Sequence, residues 1–193
     1  MVVFLMKRLR VRSIWWISCF GRTEAGLKVV AVSDSKGAVY NQNCLPWKEL
    51  LQVKKAKGSV INFLNSEKLS NDQLFTLPVD VLIPAALPDV INAANADEVN
   101  ASVIVEGANI AVTPEAEAKL LKRGVLIIPD IIANAGGVIS SYAEYKGYDA
   151  EKMFKLVREK ITKSVTVVLA ESKKTGQPLR AVAMAIAMRR LGL

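Results

Sequence analysis

The chain has 193 residues, of which 51% are hydrophobic and 23% charged, and this composition bounds it to one globular domain with at most an appendage. No uninterrupted apolar run reaches about 18 residues, so the sequence argues against a membrane span. Two cysteines without metal-ligand spacing argue against a disulfide framework and a metal site, and they are typical of a cytoplasmic protein. Because the chain has no histidine, Ser/His and Cys/His nucleophilic sites are excluded.

The net charge of +8 is unevenly distributed. Residues 1–27 carry five basic side chains and one acidic side chain. Their net charge of +4 is half of the net charge of the chain, although they make up only a seventh of its length. The remainder is a mildly basic mixed surface, which is typical of solubility more than of a nucleic-acid partner. A nucleic-acid or membrane-surface binder that uses residues 1–22 stays open as an alternative.

From Leu27 onward, apolar β-type runs alternate with helical patterns. The predicted strands are Leu27–Val32, Val79–Ile83, Ser102–Glu106 and Val125–Ile128, and Val60–Leu64 is either a short strand or an extended edge. A first predicted helix ends at Gly58, and two brief helices are predicted, one after Ser70 and one over Ala93–Val99. Four longer helices are predicted after Thr113, over Asn134–Lys146, after Asp149 and from Leu179. This alternation predicts an α/β fold with a doubly wound, mostly parallel sheet and C-terminal helices.

Four strands end in small or polar clusters. These are Ser33-Asp34-Ser35, Pro84-Ala85-Ala86, Gly107-Ala108-Asn109 and the segment from Pro129 to Gly137. In open parallel sheets, ligands bind in the crevice at the carboxyl ends of the strands. We therefore expect these clusters to form one rim of a binding crevice.

Two of the clusters contain candidate binding groups. Asp34 is placed either to accept a hydrogen bond from an adenosine ribose or to bond its own backbone in a turn, and the neighbouring Ser35 and Lys36 would suit a 2′-phosphate. Helical spacing from Asn134 puts Ser141 on the same face. That face is either a ligand-binding surface or a small-residue face packed against the sheet. Asn109 also has two interpretations, as a cofactor contact or as a turn residue.

Four segments together resemble the cofactor domain of glutamate dehydrogenases in the Glu/Leu/Phe/Val dehydrogenase family. They are VVAVSDSKGAVYN, VDVLIPAALPDVI, VIVEGAN and TPEAEAKLLKRGVLIIPDIIANAGGVISSYAEY. The resemblance covers roughly residues 26–193 and implies a Rossmann-like NAD(P)-binding domain. The sequence departs from the family at Ile110 and Ala111, where Gly-Pro frequently follows the asparagine.

The resemblance implies a role for each candidate residue. Asp34 and Ser35 would lie at the adenosine ribose, with Ala85 and Ala86 flanking the adenosine half of NAD or NADP. Asn109 and Asn134 would contact the nicotinamide and its ribose. Ser141 would hydrogen-bond the side-chain carboxylate of glutamate. The implied reaction is the reversible oxidative deamination of glutamate to 2-oxoglutarate and ammonia.

The same resemblance implies gaps. The family's catalytic lysine and aspartate belong to an N-terminal domain that does not match this chain, so no catalytic residue is assigned here. The Gly-rich phosphate turn would fall near Leu9–Trp15, which contains no glycine. We expect residues 1–26 to be an atypical segment, from a shifted reading frame or a misassigned start, and residues 27–193 to be a partial cofactor domain.

Loss of the first βα unit predicts an exposed sheet edge and a chain that is inactive alone. A homo-oligomer, or pairing with full-length subunits, is a further expectation. A non-catalytic nucleotide-binding remnant or interaction subunit remains the alternative function.

Overall fold

The computed structural model describes residues 3–7 and 27–193 and divides the chain into two compact units, residues 1–126 and 127–193. The strands are β1 (Val3–Lys7), β2 (Lys28–Asp34), β3 (Gly37–Tyr40), β4 (Glu67–Leu69), β5 (Val79–Pro84), β6 (Ala101–Val105) and β7 (Leu126–Ile128). The helices are α1 (Trp47–Lys57), α2 (Pro114–Lys122), α3 (Asp130–Ala133), α4 (Gly136–Tyr145), α5 (Ala150–Thr175) and α6 (Leu179–Leu191), with one 3₁₀ turn at Val60–Asn62. The predicted α/β fold with C-terminal helices is confirmed.

The sheet has the strand order β4-β3-β2-β1-β5-β6-β7. β5 and β6 pair in parallel, whereas β1 pairs antiparallel with both β2 and β5, and β2–β3 and β3–β4 are antiparallel. From these pairings, β2, β4, β5 and β6 run in one direction, and β1 and β3 run in the other. The core of the sheet unit contains fully buried residues from its middle strands and loops, among them Val30, Leu82, Ile91 and Ile104.

β1 corrects one expectation about the N-terminal segment. An exposed sheet edge was expected from the loss of the first βα unit, but β1 lies between β2 and β5, with Phe4 paired to Val32 on one side and to Ile83 on the other. A five-residue strand satisfies the ladder groups of both neighbours, although it runs opposite to them. The other expectations for the atypical segment, including the phosphate turn at Leu9–Trp15, concern residues outside the described part of the chain.

Three other local predictions are wrong. Val60–Leu64 was expected to be a short strand or an extended edge, but Val60 begins a 3₁₀ turn because its N–H donates to the carboxylate of Asp34 and Ser59 Oγ accepts from the N–H of Ile61. The helix predicted over Ala93–Val99 is absent: residues 93–98 form consecutive turns, since the side chains of Asn92 and Asn95 bond to nearby backbone groups.

The third lies after Ser70. The capping box itself forms, with the Ser70 N–H donating to Gln73 Oε1 at 2.9 Å and the Gln73 N–H donating to Ser70 Oγ at 3.2 Å. The bonds that follow span three residues and continue as turns up to Leu77, so no α-helix develops before Pro78.

The predicted caps are confirmed elsewhere. The Thr113 side chain accepts from the N–H of Ala116 ahead of α2, and the Asp149 side chain accepts from the N–H of Lys152 ahead of α5. Gly58 ends α1 in the left-handed conformation, as expected. Within the second unit, α4 packs on α5 at Gly136, where an added Cβ would lie 3.4 Å from Val157 Cγ1.

Candidate functional site

The end of β2 is held by the buried carboxylate of Asp34. Its Oδ1 accepts from the Lys36 N–H and from Ser59 Oγ, both at 3.0 Å. Its Oδ2 accepts from the Val60 N–H at 3.0 Å and lies 3.4 Å from Lys54 Nζ. A carboxylate offers about four acceptor positions, so these four donors occupy Asp34 fully. Of the two interpretations of Asp34, ribose acceptor or turn residue, the bonds of its side chain in this structure match the turn residue.

The same donors set the ionisation of Asp34. Burial acts to raise the pKa of this carboxyl, but the backbone N–H groups of Val60 and Lys36, the Ser59 hydroxyl and the Lys54 ammonium outweigh it, and the pKa lies below its ordinary value. Asp34 is therefore an ionised, internally bonded group. Sequence reasoning missed Ser59 and Lys54, because they follow Asp34 by 25 and 20 residues, and nothing in their local pattern indicates the contact.

Ser35 and Lys36 form the tip of a two-residue hairpin, since Asp34 pairs with Gly37 in the β2–β3 register. Both tip residues are exposed, while Asp34 and Gly37 at the base are buried. Gly37 has φ 140°, and an added Cβ there would lie 3.2 Å from the Leu69 carbonyl oxygen, so glycine is required at this position. The hairpin thus presents one hydroxyl and one ammonium group to solvent at the carboxyl end of β2.

The loops after β5 and β6 are joined to each other. The Ala108 N–H donates to the Pro84 carbonyl at 2.9 Å, and the Asp89 N–H donates to the Ile110 carbonyl at 2.8 Å. Gly107 lies against Ala85, where an added Cβ would be 3.0 Å from the Ala85 Cβ. Of the predicted contacts, Ala86 and Asn109 are exposed and Ala85 is half-buried. These three predicted residues therefore lie on one continuous loop surface.

Two residues of the second loop have roles that the sequence analysis did not assign. Glu106 is fully buried, and its Oε1 accepts from the Val112 N–H at 2.9 Å, which ties the two ends of the loop together. Ile110 has φ 48°, a left-handed conformation that is costly for a β-branched residue. The departure from the family pattern that the resemblance implied at Ile110 coincides with this left-handed conformation. An acid closing an apolar strand was the available signal for Glu106, since buried carboxylates need donors.

The second unit contains Asn134 and Ser141. The helix predicted over Asn134–Lys146 forms as α4 (Gly136–Tyr145), and Asn134 and Ala135 lie in the turn between α3 and α4. Gly137 and Ser141 share a face of α4, and a Cβ added at Gly137 would meet nothing within 4 Å. Ser141 is exposed, and its Oγ donates to the Gly137 carbonyl at 3.2 Å. This face of α4 is therefore open.

Nearby charges in the second unit stabilise the fold. Arg180 Nη1 lies 2.8 Å from Asp130 Oδ1 and ties α6 to α3. Lys146 Nζ lies 5.7 Å and 5.4 Å from the ring centroids of Tyr142 and Tyr145, within cation–π range. The ion pair thus precedes α4 in the chain, and the ring contacts lie at the C-terminal end of α4.

Within residues 3–7 and 27–193, no group of three or more His, Cys, Asp or Glu side chains could hold a metal ion. In the same part of the chain, no helix is both long enough and apolar enough to cross a membrane.

Known proteins with similar sequences are dehydrogenases. The family model for Glutamate/Leucine/Phenylalanine/Valine dehydrogenase matches residues 20–192. A glutamate dehydrogenase of Thermotoga maritima is 49% identical over 122 residues, which cover 63% of this chain and 29% of that protein. An NADP-specific glutamate dehydrogenase of Saccharolobus shibatae is 39% identical over 176 residues, covering 87% of this chain and 42% of the relative. The chain thus spans less than half the length of these relatives.

A solved structure shows the same fold. The hetero-hexameric glutamate dehydrogenase from Thermus thermophilus, in a leucine-bound form, matches with a TM-score of 0.75 and 32% identity, over 85% of this chain and 40% of the other. The fold therefore agrees with the sequence match and with the strand-end loops of the site. The chain belongs to the Glutamate/Leucine/Phenylalanine/Valine dehydrogenase family.

Proposed function

We propose that this chain is the coenzyme-binding part of an NAD(P)-dependent glutamate dehydrogenase, an enzyme that converts L-glutamate to 2-oxoglutarate and ammonia. The observation that carries the proposal is the family match over residues 20–192, which includes every strand-end loop of the candidate site. The joined loops after β5 and β6 support it, because Gly107 and Ala85 bring two strand ends into close contact and leave a small-residue surface.

The residues fit a nicotinamide coenzyme at that loop surface. Ala85 and Ala86 carry only methyl groups, so an adenosine could lie close to the backbone, and the exposed Asn109 would contact the nicotinamide half. For Asn134, in the second unit, the family resemblance alone supports a nicotinamide contact. A bound nicotinamide supplies the hydride acceptor. Asp34 fits less well as a direct ribose ligand, because four internal donors already occupy its carboxylate. Ser35, at the tip of the hairpin, stays available for that half of the coenzyme.

Ser141 is the proposed substrate ligand. Its hydroxyl is exposed on α4, and its 3.2 Å bond to the Gly137 carbonyl lies within its own helix. The hydroxyl can therefore rotate to donate to the side-chain carboxylate of glutamate. The open space beside Gly137 leaves room for that carboxylate.

We further propose that this chain does not turn over glutamate alone. None of its residues is assigned as the acid–base group, and such positioned groups typically supply about 10²–10⁴ in rate. Groups from outside the chain, for example from a full-length subunit, would complete the site. A cytoplasmic location is part of the proposal. A non-catalytic nucleotide-binding subunit is the second candidate, since no residue of the chain is assigned an acid–base role.

Two measurements on the purified chain test the proposal. Calorimetric titration with NAD and NADP should show binding of at least one of them. Glutamate-dependent absorbance of the reduced coenzyme should be absent for the chain alone and should appear only when a full-length subunit restores the site. Failure of both coenzymes to bind would contradict the proposal, whereas binding without restored activity would favour the non-catalytic subunit.

A further inference from the structure

The loop after β6, which carries Asn109, is closed at its base by a buried side chain. The loop runs from Gly107 to Val112, where the chain pairs with Ile91 in a parallel bridge. Glu106 is 0% exposed, and its Oε1 accepts from the Val112 N–H at 2.9 Å across the loop. Because a buried carboxyl group is costly unless donors satisfy it, Glu106 is held in place by the groups that it bonds. It therefore fixes the distance between the two ends of the loop.

The second half of the loop is attached to the segment that follows β5. The Asp89 N–H donates to the Ile110 carbonyl at 2.8 Å, and the Ile91 N–H donates to the Ala111 carbonyl at 3.0 Å. The Thr113 N–H then donates to the Ile91 carbonyl at 2.9 Å. Together with the Glu106 bond, these bonds fix the chain from Ile110 onward.

The residue next to Asn109 has an unfavourable backbone conformation. In the part of the chain that the structure describes, the non-glycine residues with positive φ are Asn65, Asp89 at 54° and Ile110 at 48°. Two of these three, Asp89 and Ile110, are bonded to each other. Such conformations cost free energy, persist only where the surrounding structure determines them, and are concentrated at functional sites. The conformation of Ile110 sets the direction in which the chain leaves Asn109, so the bonds that hold Ile110 also determine where Asn109 lies.

We propose that Glu106 is a positioning residue that acts through Asn109 on the nicotinamide half of the coenzyme. This inference rests on the proposed function, in which Asn109 contacts that half. Glu106 touches no ligand itself, because it is fully buried, whereas Asn109 is exposed. The bond from Val112 to Glu106 reduces the number of conformations of the free loop, and a loop that is ordered in advance loses less entropy when a ligand binds.

Matched nucleotides with and without nicotinamide test the inference. Calorimetric titration of the full chain compares NAD with ADP-ribose, and NADP with 2′-phospho-ADP-ribose. Each pair differs by the nicotinamide ring, and none of the four probes requires catalysis. In Glu106→Ala, the dissociation constant of the coenzyme should rise by about tenfold, whereas that of its nicotinamide-free partner should change by less than about twofold. The partner is spared because the bond from Ala108 to Pro84 still holds the loop beside Ala85.

Glu106→Gln tests the hydrogen bond itself. The glutamine side chain retains a carbonyl oxygen that can accept from the Val112 N–H, so this variant should keep most of the coenzyme affinity. An equal loss of affinity in Glu106→Gln and Glu106→Ala overturns the inference, because the bond to Val112 would then not be the cause.

Glu117→Ala is the control for lost stability. It removes the same side chain from a buried position on α2, so it should lower the thermal midpoint and leave the ratio of the two dissociation constants unchanged. A purely structural role of Glu106 would likewise leave that ratio unchanged in Glu106→Ala, and this result overturns the inference.

Asn109→Ala keeps the inference testable if Glu106→Ala does not fold. Asn109 is exposed, so the substitution should leave the fold intact. We expect it to weaken coenzyme binding by about tenfold and to spare the nicotinamide-free partner. Unchanged coenzyme affinity overturns the inference, because Glu106 would then have no group to act through.

The outcomes separate this inference from the proposed function. If the unmodified chain binds NAD or NADP and the ratio does not respond to Glu106, the inference alone fails. If the chain binds neither coenzyme, the proposed function fails together with the inference.

Discussion

Gly107 lies so close to Ala85 that a side chain at position 107 would begin 3.0 Å from the Ala85 Cβ and 3.3 Å from its Cα. This contact joins the ends of the parallel strands β5 and β6. The Ala85 Cα belongs to the backbone and the Cβ is bonded directly to it, so no side-chain rotation can move either atom out of contact. The close approach of the two loops therefore depends on glycine at this position.

Gly107→Ala is expected to destabilise the chain by about 1–3 kcal/mol, because the added methyl forces the strand-end loops apart. Urea unfolding measures the change. Gly124 is not a suitable control because of its left-handed φ, whereas Gly136→Ala adds a methyl at an ordinary 3.4 Å contact and should be tolerated. Equal stability of the two variants would contradict the prediction.

Ile110→Gly is expected to stabilise the chain by about 1 kcal/mol, since the left-handed conformation at φ 48° costs a side-chain-bearing residue roughly 1–2 kcal/mol. The thermal midpoint should rise. Ile131→Gly is the matched control: Ile131 is also an exposed isoleucine, but it lies in α3, where glycine should destabilise by about 0.5–1 kcal/mol. A loss of stability in both variants would show that Ile110 is unstrained.

Glu106→Ala is expected to cost about 1–3 kcal/mol, because it leaves the buried N–H of Val112 without its acceptor. Denaturant unfolding at neutral pH gives the value. Glu98 is exposed, so Glu98→Ala should change the free energy of unfolding by less than about 0.5 kcal/mol. If the two substitutions cost the same, the Glu106 bond contributes nothing to stability.

Asp34 makes stability depend on acidic pH. Its pKa in the folded chain lies below the ordinary 3.8, so its contribution is present above pH 3.8 and is lost as the pH falls through the lower folded value. Asp34→Asn lacks this contribution, so the difference in unfolding free energy between the two proteins should shrink on acidification below about pH 4. Urea unfolding at a series of pH values measures it.

The control for this pH series is Asp72→Asn, which makes the same charge change at an exposed position. Its stability should follow that of the unmodified chain across the series. A constant difference between Asp34→Asn and the unmodified chain would contradict the proposed ionised network.

Gly137→Ala tests the open face of α4. The added methyl meets nothing within 4 Å, so the variant should fold and gain about 0.5 kcal/mol from the helical backbone. If the face binds the glutamate carboxylate, affinity for glutamate should fall by about tenfold. Gly136→Ala, whose methyl points at Val157 and Ile161, should leave affinity unchanged. Unchanged affinity in both variants would assign the open face no role in binding.

The sequence predicted the fold class and the helix ends because these depend on neighbouring residues. Thr113, Asp149 and Gly58 act on backbone groups within four residues of themselves, so their patterns are legible in the chain. The start of α4 was placed two residues early, at Asn134, and the four-residue helix α3 before it was not predicted, because one helical turn leaves too short a pattern to recognise.

Local reasoning was also sufficient to place Ala85, Ala86 and Asn109 at strand ends, since an apolar run followed by small residues determines where a strand stops. It could not say that Gly107 and Ala85 would touch, because these two residues lie 22 positions apart and follow different strands.

The sequence by itself therefore determined the α/β class, the strand-end loops and the family to which the chain belongs. Only the tertiary structure decided what Asp34 does: its donors come from Ser59, Val60 and Lys54, and their approach depends on how α1 and the 3₁₀ turn pack beside β2. It likewise decided that β1 lies between β2 and β5. Hydrogen bonds between distant residues form only once the chain has folded, so no local pattern encodes which acceptor they occupy.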